Sequence, residues 1–398
     1  MRLFQDKNLS LLRNQSCASC HTIKPQAQQT GLPRLVTNFV DPDNVKRGSA
    51  VSSGSVAGKQ GSLNTPSVGY ASFSPLFHWD EAEGLYVGGQ FWNGRAKSLT
   101  EQAQKPFLNA VEMAMPDEWS VVSRLQENAG YIKAFKQVYG LNLAALAPAQ
   151  ASQEQSALVK EIYRRMAKAI SAFEQSPVFF KFNSKFDFVL AGKTKFTALE
   201  KQGLALFNGI QKGNCAACHI STTSKGRNGK IIPPIFTDFT YDNIGLPQNV
   251  SIPDNPEPDE GLGGRKEIAE LVPFINRELG KHKVMSLRNI AITPPYGHNG
   301  VFNSLEQIVH FYNTRDTLGK VNDNLDPNFG ITGWPEPEIL QNVNRTELGN
   351  LGLSAEEEKA IVAFMKTLTD DYPKWGKDPK APPGTPSPFK DLALPVLP

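Results

Sequence analysis

The chain has 398 residues, 40% of them hydrophobic and 20% charged, with a formal net charge of +3. No basic run points to nucleic acid or a membrane surface, and no apolar stretch approaches membrane-spanning length. The length accommodates two domains, each with its own core.

The opening, MRLFQDKNLS, is polar and has no signal-peptide pattern. It leads into QSCASCHTI at residues 15–23, and the same arrangement returns as NCAACHI at 214–220. C-x-x-C-H is the attachment signature of haem c. Each thiol forms a thioether with a haem vinyl group, and the histidine that follows ligates the iron from one face. Cys17, Cys20, Cys215 and Cys218 are the only cysteines of the chain, so none remains for a disulfide framework. A redox C-x-x-C pair needs no histidine, and a zinc knuckle needs further ligands at fixed spacing. Two covalent haem c groups are therefore predicted, with His21 and His219 as proximal ligands. Covalent haem attachment takes place outside the cytoplasmic membrane, which predicts a periplasmic or cell-surface protein.

After the first motif, GSAVSSGSVAGKQGS at 48–62 reads as a long loop. No histidine lies between His21 and His78, which predicts an open distal face on the first haem. The alternative is ligation by His78. The segment QFWNGRAKSLTEQAQKPFLNAVEMAM at 90–115 predicts a short helix that is capped by Ser98, carries Gln102 and is ended by Pro106. Glu112 follows among apolar residues. In an apolar pocket its pKa rises, and it can take and return a proton near neutral pH; on the surface it is an ordinary carboxylate.

Leu158, Val159, Ile162, Tyr163, Met166, Ile170 and Phe173 repeat at helical spacing. They predict a helix over 158–173 that ends before Pro177 and links two domains, residues 1–175 and 176–398. Thr197-x-x-Glu200 is a capping box for a helix with Leu199, Leu206, Phe207 and Ile210 along one side, just before the second haem motif. LPQNVSIPDNPEPDEG at 246–261 reads as another long loop. Ser304-x-x-Gln307 caps a helix whose stripe is Leu305, Ile308, Val309 and Tyr312. This turns Tyr312 inward and His310 elsewhere. A buried tyrosine needs a hydrogen-bond partner or a metal, so Tyr312 is a core residue or a ligand. A last helix runs from Ser354-x-x-Glu357 through Ile361, Phe364, Met365 and Leu368. The tail APPGTPSPFKDLALPVLP is expected to lie extended on the surface. Strand signals are sparse, and the fold class is mainly α: two cytochrome c-like domains with few short strands and long loops.

Taken in order, RLFQDKNLS…SCASCH, QFWNGRA, NAVEMAM, LFNGIQKGNCAACH and VMSLRNIAITPPYGHNGVFNSLEQIVHFY resemble the blocks of the bacterial dihaem cytochrome c peroxidase family, and of its MauG-like branch, over nearly the whole chain. The resemblance implies two cytochrome c-like α domains with a calcium ion and a tryptophan between the haems. It implies that Glu112 handles peroxide, that Gln102 and Pro106 line the same distal pocket, and that Trp92 is the inter-haem tryptophan. It also implies Ca²⁺ ligation by Asn64, Thr293 and Pro295, the latter two through carbonyl oxygens. Ordinary family peroxidases place an axial methionine where Tyr312 stands, and a loop histidine on the resting first haem. Both departures are MauG-like, and a hard phenolate oxygen favours oxidised iron. The implied activity is H₂O₂-driven oxidation, shared by both haems, of an aromatic residue (tryptophan) on a small secreted partner protein. The alternatives are a peroxidase that reduces H₂O₂ with electrons from a small cytochrome or cupredoxin, and a non-catalytic dihaem electron carrier. One position departs from the branch. The surface tryptophan two residues before the second haem motif is Gly213 here, so the exit route to a partner is not carried over.

Overall fold

The computed structural model describes residues 1–25, 36–146, 153–226, 229–254, 257–265, 275–393 and 395. In chain order, the helices of the first half are Arg2–Gln5 (α1), Cys17–Cys20 (α2), Pro42–Arg47 (α3), Leu99–Gln102 (α4), Lys105–Leu108 (α5), Glu118–Gln126 (α6), Ala129–Tyr139 (α7) and Gln153–Glu174 (α8). The second half adds Lys185–Leu190 (α9), Ala198–Phe207 (α10), Leu305–Thr314 (α11), Ala355–Lys366 (α12) and Tyr372–Trp375 (α13). Many begin where a side-chain oxygen accepts a first-turn N–H, as at Ser98, Asp117, Thr197, Ser304 and Ser354. The predicted capping boxes at Thr197 and Ser354 are complete. At Ser304 only half of the box forms, because Gln307 Oε1 accepts from the Asn303 N–H instead, at 3.0 Å.

Three expectations are corrected. The helix expected over 158–173 spans Gln153–Glu174 and buries the predicted stripe from Val159 to Ile170. It packs on α1, α4 and α6, so it closes the first core; the chain crosses between halves after it, where Phe179, Phe180 and Phe182 still join that core. Pro106 does not end α4: it sits in the first turn of α5, where its missing N–H leaves no bond unmade. On α10, Phe207 is buried as expected, but Leu199 is 45% exposed, and Ile210 lies past the helix end and is 82% exposed. The buried face runs through Gly203 and Phe207. A Cβ on Gly203 would meet the Ala360 carbonyl oxygen at 1.9 Å, so the glycine lets α10 and α12 touch backbone to backbone.

Among the described residues, the strands are two or three residues long and pair into four two-stranded ribbons. One joins Tyr241–Asp242 antiparallel to His282–Lys283, with Tyr241 opposite Lys283. The loops at 48–62 and 246–261 contain no helix among their described residues; residues 255 and 256 of the second lie outside them. The tail holds no helix as far as it is described; it turns at Pro383–Gly384, where the Thr385 N–H donates to Pro382 O at 3.1 Å, and its Ala393 N–H donates to Ile231 O at 3.0 Å. No described helix is long and apolar enough to cross a membrane.

The apolar interior falls into two main clusters. The first gathers Phe4, Phe107, Val121, Ile162, Met166 and Phe179; the second gathers Phe207, Phe236, Phe302, Trp334, Ile361 and Phe364. A buried polar seam runs between them. Arg288 Nη1 donates to Asp187 Oδ2 at 2.8 Å, both side chains being 0% exposed. Arg288 Nε donates to Pro234 O, and its guanidinium lies over the rings of Phe182 from the first cluster and Phe236 from the second. Tyr70, from the first cluster, donates its hydroxyl to Asp370 at 2.9 Å, and the Asn289 amide binds the same carboxylate at 2.9 Å.

Candidate functional site

The first motif is folded as the single turn α2, which the Cys17 carbonyl closes by accepting the His21 N–H at 2.8 Å. This wraps Cys17, Cys20 and His21 around one mouth of a cavity of about 500 Å³. Gln102, Pro106, Glu112 and Trp92 border the same cavity, so all the residues predicted for the first haem are brought together. Among the described residues, His21 is the one histidine on its wall. His78 is not on it: this residue is exposed on a ribbon, with Nδ1 2.8 Å from Leu76 O. Burial pulls the His21 imidazole down to about 4, which keeps it neutral, the form that ligates metal.

Glu112 sits in the turn after α5. Asn109 Nδ2 donates to Glu112 Oε1 at 2.7 Å. Burial raises the carboxyl above its ordinary value, while the Arg95 charge and the Asn109 bond act the other way. The Gly/Ser-rich loop covers this turn closely. The Ser55 N–H donates to Glu112 O at 2.6 Å, and a Cβ on Gly54 would meet Val111 O at 2.4 Å. The carboxyl is thus half-buried, held at one oxygen, and turned to the cavity.

A second carboxyl on this wall was missed from sequence. Glu174 ends α8, is buried, borders the cavity, and leaves Oε2 without a partner. The available signal was its place four residues after Ile170 and eight after Met166, on the buried stripe. Burial raises it from the usual 4.5 to about 8. Between those values the folded chain keeps a proton that the unfolded chain releases, so stability falls as pH rises, and the full penalty stands above about pH 8. Glu174→Gln is therefore expected to melt at a higher temperature than wild type above pH 8, with the gap closing towards pH 4.5. Thermal scans across that range check it; a constant gap refutes it.

The second motif forms a tight turn over Cys215–Ala217, and the Cys215 carbonyl accepts the His219 N–H at 2.9 Å. Cys215, Cys218 and His219 border a smaller cavity of about 160 Å³, and so does Tyr312. His219 Nδ1 lies 2.9 Å from Phe236 O, which fixes the tautomer that leaves Nε2 free for a metal. Tyr312 sits on α11 as the stripe predicted, beside buried Leu305 and Val309. Its hydroxyl takes no protein partner among the described residues. Burial raises its pKa, the two cysteine sulfurs add to this, and Arg315 opposes. His310 points away, with Nδ1 3.0 Å from Glu358. Gly213 has a φ of +92°, and a Cβ there would meet Leu206 O at 2.2 Å. The local backbone therefore does not admit the tryptophan that the MauG-like branch places at this position.

Trp92 borders both cavities. Its indole N–H donates to Asn64 O at 2.8 Å. The Asn64 amide in turn meets the Pro295 and Gly297 carbonyls at 2.7 and 3.3 Å, and Thr293 lies on the wall of the first cavity. Carbonyl and amide oxygens of this kind suit Ca²⁺, and rotating the amide would aim Oδ1 with the carbonyls. Sequence reasoning also missed a pair of stacked imidazoles beside Trp92. The His282 and His298 rings lie 3.5 Å apart at 6°, each against a carboxylate, Asp259 and Glu338 respectively. No local pattern announces this contact.

A family model described as "Di-haem cytochrome c peroxidase" matches residues 1–195. The methylamine utilization protein MauG of Paracoccus denitrificans is 37% identical over 376 residues, covering 93% of this chain and 87% of that protein. The crystal structure of the diheme peroxidase BthA from Burkholderia thailandensis superposes with a TM-score of 0.72 at 28% identity, over 99% of this chain and 89% of that one. A MauG-like protein associated with microbial copper homeostasis superposes with a TM-score of 0.61 at 25% identity, over 96% of this chain and 91% of that one.

Proposed function

Because the chain belongs to the di-haem cytochrome c peroxidase family, we propose that it is a MauG-like oxidase, which uses H₂O₂ to oxidise a tryptophan of a small secreted partner protein in the periplasm or at the cell surface. It is a haem-dependent oxidoreductase with two haem c groups. When bound, the haems would supply the redox chemistry of peroxide cleavage. Glu112 takes a proton from the incoming peroxide and returns one to the departing oxygen. Asn109 holds that carboxyl in place, and Gln102 and Pro106 shape the space in front of it. Trp92, in the wall common to both cavities, links them electronically. We assign the two haems to cytochrome c-like units at 1–175 and 176–398; the buried residues of the two apolar clusters follow this division except that Phe179, Phe180, Phe182 and Ile235 join the first.

The observation that carries the oxidase is Tyr312, an unpartnered hydroxyl on the cavity that holds His219. A phenolate oxygen there favours oxidised iron, whereas a thioether suits electron storage. A peroxidase drawing electrons from a small cytochrome or cupredoxin is the second possibility, favoured by the similarity to BthA, which is named a diheme peroxidase. Peroxide added to the holoprotein together with small secreted proteins from the same cells separates the two. Mass spectrometry is expected to find an oxidised tryptophan on one of them. Turnover with a reducing dye and no modified protein would leave the peroxidase.

We also assign Asn64, Thr293 and Pro295 to Ca²⁺. Chelation is expected to change the spectra of both haems, because Trp92 hangs from Asn64. No spectral response, with metal analysis finding no calcium, rejects the ion.

A further inference from the structure

Lys283 is only 6% exposed. Its backbone N–H donates to Trp92 O at 2.7 Å, and the residue borders both cavities. The ammonium donates to Ser74 Oγ at 2.6 Å and to Gly89 O. An ammonium has three N–H donors, so one is left over. The Phe239 ring, 5.5 Å from Nζ, offers a weak cation–π contact and no net charge. Among the described residues, no carboxylate pairs with Lys283, and burial alone pulls its pKa down, to about 7. Arg288, the other deeply buried cation in this region, has Asp187 at 2.8 Å.

A buried charge without a counter-ion is strongly unfavourable unless whatever fills the neighbouring cavity supplies one. Haem carries two propionate carboxylates. We propose that Lys283 anchors a haem propionate at the wall shared by the two cavities, and that its N–H bond to Trp92 ties haem seating to the tryptophan between them. Lys283 is thus a positioning residue. The assignment rests on the presence of the two haems and not on partner oxidation.

The test uses the dihaem holoprotein with Lys283→Met and Lys283→Arg. A cation beside a haem favours the reduced, less positive iron. Spectroelectrochemistry is therefore expected to show a lowered midpoint potential for one haem in Lys283→Met and its recovery in Lys283→Arg. Loss of packing alone would lower the melting temperature without recovery of the potential by arginine. Unchanged potentials at both haems in Lys283→Met overturn the proposal. Resonance Raman on wild-type protein decides the matter if the variant fails to fold. One haem is expected to show the propionate bending band of an ion-paired carboxylate, and free-propionate bands at both haems overturn the anchor. Peroxide reactivity of the wild type is measured separately, so failure of the anchor leaves the proposed oxidase untouched.

Discussion

Glu112→Gln is expected to slow the reaction with H₂O₂ by about 10²–10⁴-fold, the usual cost of losing a positioned acid–base group. Both haems should remain attached, since Glu112 touches neither motif's backbone. Glutamine keeps the size and can still contact Asn109, which now lies 2.7 Å from Glu112 Oε1. What it loses is the proton exchange. Burial raises the wild-type carboxyl, so the acid limb of the pH–rate profile should lie above the ordinary glutamate range. Activity should fall as pH drops through it, because only the ionised form accepts the peroxide proton. In Glu112→Gln that limb should vanish. Stopped-flow mixing with peroxide across pH measures both effects, and an unchanged rate of formation of the oxidised spectrum would remove Glu112 from the chemistry.

Tyr312→Met is expected to abolish oxidation of the partner protein. The thioether should raise the potential of the second haem and make it an electron store. Peroxide turnover with an artificial donor should survive, because the first cavity and Glu112 are untouched. Tyr312→Phe should alter the spectrum of the second haem without raising its potential to the same degree. Potentiometry and partner mass spectrometry read the two outcomes. If wild type already shows a high-potential, methionine-like second haem, the candidate sulfur is Met285, which borders the same cavity. Tyr312 would then be a core residue and the peroxidase the better description.

Chemistry that depends on short spacing was legible in the sequence. C-x-x-C-H places two thiols and an imidazole within one turn, and each motif does line one cavity. The α8 stripe and the capping boxes at Thr197 and Ser354 are equally local, and they form as expected. Tyr312 was placed by its stripe, but its choice between core and ligand was not, because periodicity orients a side chain without naming what it meets. Lys283, His282 and His298 were invisible for a different reason: their partners lie far away in the chain, as Ser74 is to Lys283 and Glu338 to His298. Leu199 and Ile210 misled because a helix face was drawn through apolar residues, while the tight contact is made by Gly203, which has no side chain to count.

The seam of Arg288, Asp187, Asp370 and Tyr70 bears on how the molecule moves. Parting the two cores would strip the Tyr70 hydroxyl of the Asp370 carboxylate, both of them buried. Leaving a buried polar group without its partner costs about 1–3 kcal/mol. The halves therefore behave as one stiff block and not as two lobes on a hinge. Trp92 and the two cavities it borders are then expected to keep a constant separation. If the two haem sites exchange charge as proposed, that exchange should wait for no opening step and should proceed at the same speed in viscous solvent and with a partner docked.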